Sequence, residues 1–131
     1  SRRAREFASY AALRELGRAG VRELVERCCD CATQLVAGLA ELEGVKVLSS
    51  PIINQGLITF TDLSGALSNE WNDRVIAEIA AEGTSFFSGT TTENGCRAMR
   101  ISVSNWQTSH EDVMKTVASV KRVLTRMRHR E

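Results

Sequence analysis

The stretch Met99-Arg100-Ile101-Ser102-Val103-Ser104 holds the side chains best suited to chemistry. In an extended strand successive side chains point to opposite faces. Met99, Ile101 and Val103 therefore share one face, and Arg100, Ser102 and Ser104 the other. The second face presents a guanidinium flanked by hydroxyls. A guanidinium can hold a carboxylate or phosphate through two parallel hydrogen bonds, a geometry that lysine lacks. Two readings follow from these residues. One is an anion site on the open face of a sheet. The other is the ordinary solvated face of a half-buried antiparallel sheet, where Arg and Ser are common. Thr90, Thr91 and Thr92 precede the strand, and their hydroxyls either line the same cleft or belong to a solvated connection.

Other reactive types are present without a complete constellation. Cys28, Cys29 and Cys31 crowd together, and Cys96 stands apart. On a helix Cys28 and Cys31 share a face one turn apart, superficially a Cys-x-x-Cys pair. A zinc site needs two further ligands; Cys96 is one candidate, but His110 and His129 form no spaced ligand pair, so buried packing of reduced thiols is the simpler expectation. No serine lies in a Gly-x-Ser-x-Gly setting, and no glycine pattern matches a phosphate loop. His110 falls in the first turn of a helix, at the surface. Lys121, Arg122, Arg126, Arg128 and Arg130 form a basic end that could touch RNA, although basic residues also suit the C-terminal end of a helix dipole.

The elements that must position these residues are legible from periodicity. A first helix is expected over about Arg3–Leu16, with Phe7, Tyr10, Ala11 and Leu13 on its apolar side, broken by Gly17 and Gly20. A longer helix follows over about Val21–Leu42. Its face is Val21, Leu24, Val25, Cys28, Ala32, Leu35, Val36 and Leu39, and Gly44 ends it. Val45–Leu48 and Gly56–Thr61 then read as strands, with Pro51 between them. Ser68 or Asn69 caps a helix whose face is Val75, Ile76 and Ile79 and whose end is Gly83. Thr84–Ser88 is expected as a third strand, Ser88–Gly95 as a loop, and Ala98–Ser104 as a fourth strand. Thr108-x-x-Glu111 has the form of a capping box, and Val113, Val117, Val120, Leu124 and Met127 mark the face of a last helix. The fold class is α+β, with an antiparallel sheet of about four strands covered on one face by helices.

Composition bounds the function. The chain has 131 residues, the size of one ordinary domain, and 43% of them are hydrophobic, which allows a real core. A net charge of +1 and 5% aromatic residues give no reason to expect nucleic acid. No apolar run reaches the length that crosses a bilayer, and no membrane partner is expected. The chain opens SRRAREFASY without an initiator methionine, as either a processed terminus or a piece of something longer. Free cysteines and near-neutral charge make cytoplasm the default.

The run Ala98-Met99-Arg100-Ile101-Ser102-Val103-Ser104-Asn105-Trp106-Gln107-Thr108, followed by a capped helix, resembles the C-terminal end of group II pyridoxal-phosphate-dependent amino-acid decarboxylases, the glutamate and aromatic-amino-acid enzymes. Arg2-Arg3, Ala11-Ala12-Leu13, Leu16-Gly17-Arg18, Gly20 and Val25-Glu26-Arg27-Cys28 resemble the helix pair entering that domain. Gly44-Val45-x-Val47-Leu48 with Asn54-Gln55 agrees with it. The likeness runs through essentially all 131 residues, each motif alone being modest.

The resemblance implies the aspartate-aminotransferase fold type, and within it the small C-terminal domain. Residues 1–131 are then one domain, with an entering helix over 1–18 and an α+β body over 21–131. The Schiff-base lysine of that family lies in a His-Lys motif of a large upstream domain. Lys46, Lys115 and Lys121 are the lysines here and none follows a histidine. The chain alone is therefore expected to hold no pyridoxal phosphate covalently and to be inactive. In a parent enzyme the cofactor would supply an electron sink for the bonding pair that departing CO₂ leaves on the substrate. The partners implied are that large domain, an amino-acid substrate and a second subunit. The resemblance carries over one site residue, Arg100, as a contact to a substrate carboxylate. Ser102, Thr90 and Thr91 are weaker candidates for the same pocket. The alternative is a non-catalytic ligand-binding or dimerisation module.

Overall fold

In the computed structural model of the chain, residues 5–103 and 108–130 are described. Residues 1–4, 104–107 and 131, and the side chains of residues 5–8 (Phe7 among them), lie outside the described residues.

Helix α1 spans Arg5–Ala40 and bends once, at Gly17 (φ 69°, ψ 179°). Only glycine adopts that conformation without strain. Gly17 thus separates two helical stretches, as its place in the sequence suggests, whereas Gly20 stays helical within the second. Its C-terminal half buries Cys28, Cys31, Ala32, Leu35, Val36 and Leu39 at three- and four-residue steps. The apolar stripe continues further back, but the body it would cover ends. Tyr10, Leu13, Leu16 and Val25 are consequently exposed, which corrects the expected burial of Val25.

Strands β1 (Val45–Ile52) and β2 (Gln55–Phe60) form a hairpin, so the first strand runs on through Pro51. Helix α2 (Asn69–Glu82) is capped by the Ser68 side chain, which accepts from the Trp71 N–H. It ends at Gly83, which is left-handed at φ 88°. Besides Val75 and Ile79 it buries Trp71 and Asn72. Asn72 Oδ1 accepts from the Phe60 N–H and the Thr59 hydroxyl, both at 3.2 Å, and ties α2 to the end of β2.

Strand β3 is Ser88–Thr91, not Thr84–Ser88. The Phe86-Phe87 pair looks like strand, but Phe86 points to solvent while Phe87 packs against the core. Pairing with β4 (Arg97–Ser102) begins only at Ser88 opposite Arg100. Helix α3 spans His110–Arg130. Its capping box sits one residue later than expected. The Asp112 N–H donates to Ser109 Oγ at 3.3 Å, and the Ser109 N–H donates to Asp112 Oδ2 at 3.0 Å.

The strand order is β1-β2-β4-β3, with every neighbouring pair antiparallel. Helix α1 packs on β1 and β2, α2 on β4, β2 and β3, and α3 on both helices. Ile58, Phe60, Met99 and Ile101 from the sheet meet Leu35, Leu39, Val75, Ile79, Val120 and Leu124 from the helices in one core. The opposite face of the sheet has no helix packed on it among the described elements. At the α2–α3 seam, Glu78 pairs with Arg130 at 3.1 Å and Arg126 at 3.2 Å. Glu82 pairs with Arg122 at 2.6 Å and accepts from the buried Ser119 hydroxyl. These arginines are engaged by α2 carboxylates, which accounts for much of the basic end of the chain.

Candidate functional site

Arg100 lies in the middle of β4, with Leu57 of β2 opposite it on one side and Ser88 of β3 on the other. Ser49 of β1 pairs in turn with Leu57. Because Met99, Ile101 and Val103 are buried beneath the helices, alternation turns Arg100 onto the open face, where it is exposed. A trough of about 580 Å³ runs across this face. Arg100, Thr90 and Thr91 line it together, as do Ile52, Ile53 and Leu57. Among the described residues, the Arg100 guanidinium has no hydrogen-bond or ion-pair partner.

The nearby threonines are not equivalent. Arg97 Nη1 donates to Thr91 Oγ1 at 2.8 Å while its Nε donates to Asp73 at 3.0 Å. The Thr91 hydroxyl is thus already an acceptor for a second guanidinium. Thr92 Oγ1 accepts from the Cys96 N–H at 3.1 Å and contacts Asn94 Oδ1, so it stabilises the β3–β4 turn. Thr90 pairs with Ala98, two residues before Arg100, and its side chain shares the Arg100 face. Ser102 is exposed on the same face opposite Gln55, but it does not line the trough. Ser104 lies outside the described residues.

One wall of the site comes from a segment with no chemical signature in the sequence. The β1–β2 tip, Ile52 to Gln55, lines the trough and is held in place by Asn54. Asn54 Nδ2 donates to the Val103 carbonyl at 2.7 Å, and the Val103 N–H donates to the Asn54 carbonyl at 3.1 Å. Ile53 has φ 58°, a left-handed conformation that a β-branched residue rarely adopts. The Asn-Gln pair marks a turn, but only strand pairing brings that turn beside Arg100.

The other candidates fall elsewhere. Cys28 and Cys31 are buried in the core, as the packing reading expects. Burial pushes the Cys31 thiol up, and its Sγ lies 3.7 Å from the Thr108 carbonyl. Among the described residues no three His, Cys, Asp or Glu side chains gather where a metal ion could sit. His110 is exposed and its Nδ1 lies 2.7 Å from Gln34 Oε1. No lysine lines the trough among the described residues, and Lys115 is paired with Glu111 at 3.4 Å. No described helix is long and apolar enough to cross a membrane.

The fold is shared with solved enzymes. Oryza sativa TDC, determined with PLP and tryptamine, matches with a TM-score of 0.80 and 14% identity over 90% of this chain and 26% of that one. The glutamate decarboxylase domain of diaminobutyrate-pyruvate transaminase and L-2,4-diaminobutyrate decarboxylase from Vibrio parahaemolyticus matches at 0.73 and 13%, over 90% of this chain and 25% of that one. Catharanthus roseus tryptophan decarboxylase, in complex with L-tryptophan, matches at 0.75 and 13%, over 85% of this chain and 23% of that one. The chain thus has the fold of the C-terminal part of group II pyridoxal-phosphate-dependent decarboxylases. It spans about a quarter of the length of the structures it matches. At these identities the likeness is one of fold. No protein-family model and no curated protein matches the sequence.

Proposed function

We propose that this chain is the C-terminal small domain of a pyridoxal-phosphate-dependent amino-acid decarboxylase. In that role it supplies one wall of the substrate pocket, an anchoring cation and part of a subunit contact. The observation that carries the reading is Arg100: a guanidinium on the open face of this fold with no partner among the described residues, and with Thr90 beside it in a trough.

The residues of the trough do not by themselves make a pyridoxal-phosphate site. Such a site needs a lysine amine for the Schiff base and several donors around the phosphate. Here one exposed guanidinium faces the trough, and Lys46, Lys115 and Lys121 are not among its lining residues. The cofactor is therefore assigned to a large domain outside this chain, and the chain alone is expected to be inactive.

The role of Arg100 follows from the reaction. A decarboxylase must release the α-carboxylate. A tight pair to that group stabilises the ground state more than the transition state and raises the barrier. Arg100 accordingly orients the substrate through a different carboxylate, one that stays. Its position on a central strand, backed by fully buried Met99 and Ile101, holds the backbone of that cation in place.

The test is made in the full-length enzyme, in a reading frame that adds the lysine-bearing domain. Arg100→Ala is expected to lower kcat/KM by about 10- to 100-fold, the worth of about 1.5–3 kcal/mol for hydrogen bonds to a charged partner. Arg100→Lys keeps the charge but loses the paired geometry, and should recover only part of that loss. An unchanged kcat/KM in Arg100→Ala would sink the assignment. Absence of a lysine-bearing domain from the longer frame would favour a non-catalytic module.

A further inference from the structure

We propose that Leu57, Ile52 and Ile53 form an apolar wall beside Arg100, so that the trough selects a carboxylate carried on a bulky apolar body over a small or wholly polar anion. The proposal rests on the reading of Arg100 as the residue that holds the anion.

Strand register puts the wall in place. Leu57 is the direct cross-strand neighbour of Arg100. Side chains so related have their Cβ atoms about 5 Å apart. Ile52 pairs with Gln55, and Gln55 shares the face of Leu57 because the two are two residues apart in one strand. Ile52 therefore stands on the open face, one row further along, and Ile53 follows it at the tip. All three line the trough. On the other side of Arg100 stand Ser88 and Thr90. One guanidinium thus has on one side Leu57, Ile52 and Ile53, with Ser49 and Gln55 among them, and on the other side only hydroxyls. A volume near 580 Å³ suits a small organic ligand rather than a bare ion.

Folding does not account for the tip. Ile52 and Ile53 are 73% and 67% exposed, so neither gains much from burial. Ile53 also sits at φ 58°, where asparagine or glycine is at ease and a β-branched side chain is strained. The two Asn54–Val103 hydrogen bonds hold the turn against that strain. In this chain, asparagine at position 53 would serve the turn better than isoleucine. The apolar side chain contributes instead when something apolar lies in the trough.

The probes are cyclohexylacetate and acetate, titrated into the 131-residue chain and followed through its isoleucine and leucine methyl NMR signals. Both carry one carboxylate, and they differ only in the apolar body. Cyclohexylacetate is expected to move the Ile52, Ile53 and Leu57 methyls and to bind at least about tenfold tighter than acetate. The double variant Ile52→Ser, Ile53→Asn should remove most of that advantage over acetate, Leu57 alone remaining of the wall. Ile53→Asn alone should raise the urea midpoint while weakening cyclohexylacetate, a combination that a purely structural isoleucine does not give. The wall is refuted by equal affinity for the two probes, by a silent double variant, or by a lower midpoint in Ile53→Asn. Arg100→Ala separates the two layers. Loss of both probes with a silent double variant leaves the anion site standing and removes the wall. Unchanged affinities in Arg100→Ala remove the anion reading itself.

Discussion

Gly38 lies where α1 crosses α3, and a Cβ built on it would come within 2.9 Å of Val117 Cγ2. Two opposing effects decide the outcome of Gly38→Ala. Replacing glycine by alanine inside a helix contributes about 1 kcal/mol of stability. Forcing a methyl into a closed helix contact costs about 1–3 kcal/mol. Val117 cannot simply turn aside, because a β-branched side chain in a helix has one strongly preferred rotamer. The net expectation is a loss of about 0–2 kcal/mol in the wild-type background. Val117→Ala removes the obstacle at a cost of about 1 kcal/mol for a partly buried side chain. In that background Gly38→Ala should stabilise by its full helical preference of about 1 kcal/mol. The two substitutions are therefore coupled by at least about 1 kcal/mol, well beyond the ~0.3–0.5 kcal/mol within which independent sites add. Urea unfolding of the four chains, followed by circular dichroism, measures the cycle. Additive effects, or a Gly38→Ala chain more stable than wild type by the full helical increment, would show that α1 and α3 do not approach this closely.

Other outcomes follow from single contacts. Arg122 first, and then Ser119, hold the Glu82 carboxyl down at about 2, against an ordinary value of 4.5. A group whose folded pKa is depressed contributes stability above its unfolded pKa and loses it as pH falls through the folded one. The Glu82 share of stability should thus be complete at neutral pH and fade between pH 4.5 and about 2. Glu82→Gln should flatten that part of the profile in urea melts, and an unchanged acid limb would refute the staple. Ser109→Ala should cost about 1 kcal/mol by removing the N-cap, while Thr108→Ala costs little; the reverse ranking in thermal melts would place the cap at Thr108. The isolated chain should self-associate through the exposed Tyr10, Leu13 and Leu16 of α1. A single monomeric species in concentrated sedimentation runs would count against it.

Local patterns carried much of the architecture. The alternation around Arg100 assigns Met99, Ile101 and Val103 to the core, and all three are buried. The Ser68 cap, the Gly83 stop and the apolar face of α3 were equally readable, because each depends on neighbours one turn away. Misreadings cluster where partners are distant. Phe86-Phe87 resembles strand, yet the strand begins only where β4 offers an edge to pair with. Val25 continues a helical stripe, but the stripe outruns the body it would cover. The Thr91 hydroxyl is a candidate from its place in the chain, yet it accepts from Arg97, a residue that Asp73 of α2 helps to orient.

The sequence by itself determined that an arginine with serines on alternate positions would face away from a core, since a strand has a period of two whatever surrounds it. It also determined the α+β class, through changes of period from helix to strand and back. Only the tertiary structure decided what Arg100 faces. The helix α2 crossover sends β3 to the far edge and returns β4 between β2 and β3, so Leu57 and Ser88 become its two neighbours. It alone folded the Ile52-Ile53 tip beside that guanidinium, because hydrogen bonds between Asn54 and Val103 join residues 49 positions apart. A surface arginine is common. One set in a trough between an isoleucine-bearing turn and a hydroxyl flank depends on pairings no local pattern encodes.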